Sequence, residues 1–138
     1  MRRSSIFISC AASVLIQAAA SSPSDPTMAA LQWHRRVLIV STPRGNDPQF
    51  VAQQRALAQW TGGDERDLSV VRIERDTVSG SSDTAAQLRH RYGLEAAQFS
   101  VALVGKDGHV AVRSRVPLSG ARLEAVIDAM PMRRAGQR

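Results

Sequence analysis

The chain has 138 residues with 18 basic and 12 acidic side chains, and its one cysteine is Cys10. That length suits one folded domain. A lone thiol excludes an internal disulfide framework, and a thiol this close to the start leaves no thiol chemistry for the rest of the chain.

The first element is a leader. Arg2 and Arg3 precede an apolar run from Ile6 to Ile16, which ends in the small residues Ala18-Ala19-Ala20. A basic start, a short apolar core and small residues before a cleavage point are the marks of a secretory signal peptide. The run is shorter than the roughly 20 residues that a permanent transmembrane helix requires. Residues 1–20 are therefore expected to be removed, which places the mature protein in the periplasm or outside the cell with no membrane span. The competing start is Met28, in a chain that stays in the cytosol. Cys10 lies inside the apolar run, where it does not suit a lipoprotein anchor. Cleavage would thus leave no cysteine nucleophile and no thiolate metal ligand.

The formal net charge of +6 falls by two without Arg2 and Arg3, and Lys106 is the only lysine. The positive balance suits an anionic partner. Basic residues are dispersed, aromatic residues are few and no nucleic-acid motif is present, so nucleic acid ranks low as a partner.

Residues 21–30, with "SSPSDPT" at their start, read as a flexible spacer, and the domain is expected over residues 31–138. Val37-Leu38-Ile39-Val40 is an uninterrupted apolar run, as in a strand covered on both faces. A turn follows over Ser41 to Asn46. Asp47 then Pro48 is a cap with a first-turn proline, opening a helix with Phe50, Leu57 and Trp60 on one side, Val51 and Ala58 beside them, and a break at Gly62-Gly63.

Leu68 to Ile73 is a second strand, followed by a Ser/Gly loop. Ala85, Leu88 and Tyr92 mark the buried face of a second helix closed by Gly93. Phe99 to Val104 and His109 to Arg113 flank Gly105-Lys106-Asp107-Gly108, a hairpin in which Asp-Gly supplies the tight turn. Ser119 caps a last helix with Leu123, Val126, Ile127 and Met130 facing inward. Leu118 is placed to staple against Leu123, and Pro131 is expected to stop the helix. The order β-α-β-α-β-β-α gives an α/β fold with a four-stranded mixed sheet flanked by helices.

This order is that of a minimal thioredoxin fold. The segments "LQWHRRVLIV" (Leu31–Val40), "QQRALA" (Gln53–Ala58), "LVGKDGHVAVRS" (Leu103–Ser114) and "VIDAMPMRRAGQR" (Val126–Arg138) resemble the DUF4174 family of bacterial exported thioredoxin-like proteins. The resemblance implies fold and location and carries no catalytic residues with it. Two features depart from working thioredoxins. Ser41-Thr42-Pro43-Arg44 stands where redox cysteines would be, and Ala97-Gln98-Phe99 lacks the proline that precedes the third strand.

Two clusters remain as candidate sites. Ser41, Thr42, Arg44, Asp47 and, on the helix, Arg55 surround the end of the first strand, where free backbone N–H groups and a cation suit a small anion. Met132, Arg133 and Arg134 combine a soft apolar group with two cations near the carboxyl terminus, a combination suited to docking an envelope or extracellular protein. His34, His90 and His109 are scattered without ligand spacing, so neither a metal nor another cofactor is expected, and no catalytic residues are assigned. The expected role is a redox-inactive binding or scaffolding module. The alternative is an enzyme or small-anion site with cysteine-independent chemistry at the first strand–helix junction.

Overall fold

The computed structural model describes residues 24–136. The expected signal peptide, Cys10 included, lies outside the described residues. Five strands form one sheet: β1 (Arg36–Thr42), β2 (Leu68–Glu74), β3 (Thr77–Ser79), β4 (Ser100–Val104) and β5 (Val110–Ser114). Their order is β3-β2-β1-β4-β5. β1 runs parallel to β2 and antiparallel to β4, and the other neighbours are antiparallel. The sheet thus has one strand more than expected. β3 pairs across Arg75-Asp76 with the end of β2, in register from Arg72–Ser79 to Glu74–Thr77. A three-residue edge strand, Thr77-Val78-Ser79, is too short to show a period of two in the sequence.

Alternation along β1 divides the core. Val37 and Ile39 join Met28, Ala85, Leu88 and Tyr92 on one face. There α1 (Met28–Leu31) and α3 (Ala85–Tyr92) cover the sheet. α1 lies largely within the stretch read as a spacer, and Met28 is buried. α3 has the expected boundaries: Thr84 and Gln87 form a reciprocal capping box, and Gly93 closes it in the left-handed conformation. Leu38 and Val40 join Phe50, Phe99, Leu118, Leu123 and Ile127 on the other face. That layer contains α2 (Pro48–Gln59) and α4 (Gly120–Asp128). Pro131 ends α4 as expected but also opens one more turn, α5 (Pro131–Arg134), from its first-turn position.

The inner face of α2 departs from its apolar pattern. Leu57 and Trp60 are only partly buried, whereas Gln53 is fully buried. Gln53 Oε1 accepts from the Leu118 N–H at 2.7 Å, and its Nε2 donates to the Leu118 carbonyl at 2.9 Å. One side-chain amide therefore satisfies both backbone groups of the residue that leads into the Ser119 cap. Close packing of the two helices also fixes Gly120, where a Cβ would come within 2.6 Å of the Trp60 ring.

Replacing Gln53 by leucine would strand both Leu118 groups in the core. The expected loss is about 1–3 kcal/mol per unsatisfied group, measured as a lower denaturation midpoint in urea with an unchanged slope.

Candidate functional site

The two ends of β1 carry different polar chemistry. They lie about 20 Å apart, given seven residues at the usual strand rise. At the carboxyl end, Ser41 and Thr42 belong to β1 and are fully buried. Ser41 Oγ accepts from Arg89 Nε at 3.2 Å. Arg89 also donates to the Arg75 carbonyl and faces Asp76 at 3.5 Å. Thr42 Oγ1 donates to the Arg44 carbonyl at 2.8 Å and accepts from the Arg44 N–H at 3.3 Å. Asp47 caps α2 through the Gln49 N–H at 2.8 Å. Arg44 lies on the wall of a shallow groove with Glu74 and Arg75, while Arg55 is exposed on α2 and outside that groove. The five expected ligand residues therefore do not converge: the Ser41 hydroxyl is taken by Arg89, the Thr42 hydroxyl by the turn and the Asp47 carboxylate by the helix cap.

The amino end of β1 is different. Arg36 occupies the same face of the strand as Leu38 and Val40, and it is 1% exposed. Its backbone N–H donates to the Asp67 carbonyl at 2.9 Å, and Nη1 donates to the Arg66 carbonyl at 2.8 Å. Nε and Nη2 are buried and have no partner among the described residues. Burial pulls the Arg36 pKa below the ordinary arginine value, and Asp67 opposes that shift. Holding a guanidinium in this way costs several kcal/mol unless charge and hydrogen bonds compensate.

Lys106, in the β4–β5 turn, is also buried and donates to Asp67 Oδ2 at 2.8 Å. Asp67 reaches it from a left-handed residue, φ 50°, that ends the short 3-10 turn Asp64–Arg66. The Lys106 hydrogen bond holds the Asp67 carboxyl below the usual carboxylate range. Lys106 is thus an ion-pair partner as well as a turn residue. Arg36 and Lys106 line a cavity of about 180 Å³ with Val110, Met130, Pro131 and Met132. Asp107 and His109 also line it, with 3.4 Å between Asp107 Oδ2 and His109 Nδ1.

A second ion network fastens α4 and α5 to this end. Arg66 grips Asp128 with both edge nitrogens, Nε to Oδ1 at 3.1 Å and Nη2 to Oδ2 at 2.9 Å. Its Nη2 also lies 3.0 Å from Glu124 Oε1. The Arg66 bond lowers the Asp128 pKa. Arg133 Nε lies 3.5 Å from Asp128 Oδ1, and its Nη1 donates to the Glu65 carbonyl at 3.1 Å. Of the expected docking residues, Met132 therefore lines the cavity and Arg133 anchors α5. Arg134 is exposed and makes no ion pair among the described residues.

Sequence reading missed Arg36, Lys106 and Asp67. The signal for Arg36 was there: it keeps the period of two with Leu38 and Val40 on a strand buried on both faces. The Asp67–Lys106 pair spans 39 residues, and no local pattern reveals it. The three histidines are exposed on separate segments, and no group able to hold a metal ion occurs among the described residues. Among the same residues, no helix is long and apolar enough to cross a membrane.

A mixed five-stranded sheet between helical layers, with a charged cavity at one end of its central strand, defines an α/β domain with a candidate anion site. The family comparison is consistent with the shared segments. Residues 27–136 match the domain of unknown function DUF4174, and the chain belongs to that family. It matches no curated protein and no solved structure.

Because the folded-state pKa of Asp67 is depressed, its contribution is full above the unfolded-chain value of about 3.9 and is lost as pH falls through the folded value. Asp67→Asn should flatten this acid limb of stability. Denaturation midpoints measured between neutral pH and pH 3 would show it, and an unchanged limb would exclude Asp67 as a contributor.

Proposed function

We propose that the protein is an exported, redox-inactive thioredoxin-like domain that acts as a binding module and takes an anion at the Arg36 end of β1. Export is supported by the basic, apolar and small-residue sequence of residues 1–20. The thioredoxin-like reading is supported by the order β1-α2-β2-α3-β4-β5-α4, with a parallel first pair and an antiparallel hairpin. No cysteine occurs after Cys10, so a domain freed of its leader has no thiol to oxidise.

One observation carries the binding reading: Arg36, a residue of the cavity wall, has two buried donors with no partner among the described residues. Buried donors in folded proteins are almost always satisfied, and an orphaned pair on a cation calls for a partner from outside the chain, a bound anion or an ordered water. Lys106 adds a second cation at the same wall, and Asp67 offsets one of the two charges. The carboxyl end of β1 offers less. Its two hydroxyls are buried and already partnered, and neither bonds a histidine or a carboxylate among the described residues. Hydroxyl-based catalysis needs a base within hydrogen-bond reach.

Anions that bind the folded state and not the unfolded one stabilise it by RT ln(1 + L/Kd), where L is the free anion concentration. At constant ionic strength, with chloride as the reference, acetate, benzoate and phosphate can be compared by thermal unfolding of the purified protein. At least one should raise the midpoint, and Arg36→Met should abolish that rise. A wild type indifferent to all three, or a rise that survives in Arg36→Met, would contradict the assignment.

A further inference from the structure

The atoms left free on Arg36 define the ligand more narrowly. Nη1 is held by the Arg66 carbonyl, which fixes the plane of the guanidinium. Nε and Nη2, the two without partners, lie along one edge and point their N–H bonds in parallel. Arg66 uses those same two atoms to grip the Asp128 carboxylate. Arg66 thus shows, within this fold, how such an arginine edge takes a carboxylate.

We infer that the ligand is a small monocarboxylate with an apolar substituent, its carboxylate gripped side-on by Arg36 and its apolar part set among Val110, Met130, Pro131 and Met132. The inference rests on the reading of this end of β1 as an anion site. Charge and lining support a monoanion. Arg36, Lys106 and Asp67 together leave one positive charge at the wall, and the exposed Asp107 on the same lining offsets it, so the site tolerates at most a single carboxylate. A phosphate would bring further oxygens and charge, yet Lys106 is already paired with Asp67 and much of the remaining wall is aliphatic or thioether. Asp107 adds a carboxylate to the lining, which disfavours a second negative charge on the ligand.

Size sets the upper limit. The cavity is about 180 Å³, and one of about 150 Å³ accepts a benzene ring. The substituent is therefore a single ring or a short branched chain. Met130 and Met132 are unbranched and polarisable, so they can adjust around either. Because Nε and Nη2 are buried, entry requires side chains of the wall to shift, and these two are the adaptable ones.

Methionine methyl NMR tests the inference directly, with benzoate as the probe. Benzoate should shift the Met130 and Met132 signals in a saturable way and leave Met28, on the opposite face of the sheet, unmoved. Benzamide, which keeps the ring and loses the charge, should bind at least tenfold more weakly, as should acetate and inorganic phosphate. Arg36→Met should abolish the shifts. Arg36→Lys, which keeps the charge and loses the two-pronged edge, should weaken binding at least tenfold, while Arg122→Gln on the exposed side of α4 should not change it. Equal binding of benzamide would overturn the role of the Arg36 edge. Phosphate or acetate binding as tightly as benzoate would overturn the ligand class while leaving an anion site in place. No shift with any of the anions would overturn both.

Discussion

β1 is paired on both sides and covered on both faces, and the rest of the domain is arranged around that burial. Each of its seven residues is buried. Six of them are apolar or hydroxyl-bearing in ways that the two core layers absorb. Val37 and Ile39 face α3, while Leu38 and Val40 face α2 and α4. The Ser41 hydroxyl turns toward α3 and meets Arg89. Arg36 is the exception, since a full guanidinium stands where the alternation calls for a core side chain. The cost of that charge is several kcal/mol in a low-dielectric setting, so its surroundings must answer it.

The surroundings answer only in part. One nitrogen is satisfied by the Arg66 carbonyl, and Asp67 supplies charge, but the Asp67 carboxylate accepts its hydrogen bond from Lys106. A buried ion pair with a second cation beside it is an arrangement that stability alone does not favour, since well-packed apolar residues do as well. Arg66 and Arg133 show what a settled arginine looks like in this domain. Arg66 has both edge nitrogens on a carboxylate, and Arg133 ties α5 to the 3-10 turn. The contrast between Arg66 and Arg36, whose carbonyl and guanidinium are directly bonded to one another, is what turns an oddity of burial into a statement about function.

Much of the framework was legible in the sequence because it is written in local periodicity. The apolar run Val37–Val40, the Asp47-Pro48 helix start, the Thr84 to Gly93 helix and the Asp-Gly hairpin each declare themselves within a dozen residues. β3 did not, because three residues, two of them polar, gain their strand geometry from β2 rather than from their own pattern. Gln53 did not, because its inward turn answers the backbone of Leu118, 65 residues away. The same holds at the site. The junction residues Ser41, Thr42, Arg44 and Asp47 were conspicuous because they follow an apolar run at a strand end, and Arg55 because it lies on the helix that the junction opens. Arg36 was inconspicuous because it precedes the run and reads as the polar border of a strand. Met132, read as part of a docking cluster, lines the cavity beside an Arg133 whose bonds are internal to the fold.

The central claim is that Arg36 is kept in the core for a ligand and not for the fold. The stability of Arg36→Met relative to the wild type, in chloride buffer with no carboxylate present, tests it most directly. If the guanidinium awaits a ligand, a methionine that fills the same space should leave stability within about 1 kcal/mol of the wild type or raise it. A loss of about 3–5 kcal/mol, the usual penalty for breaking a compensated buried charge, would show that Arg36 is a structural residue and would contradict the claim.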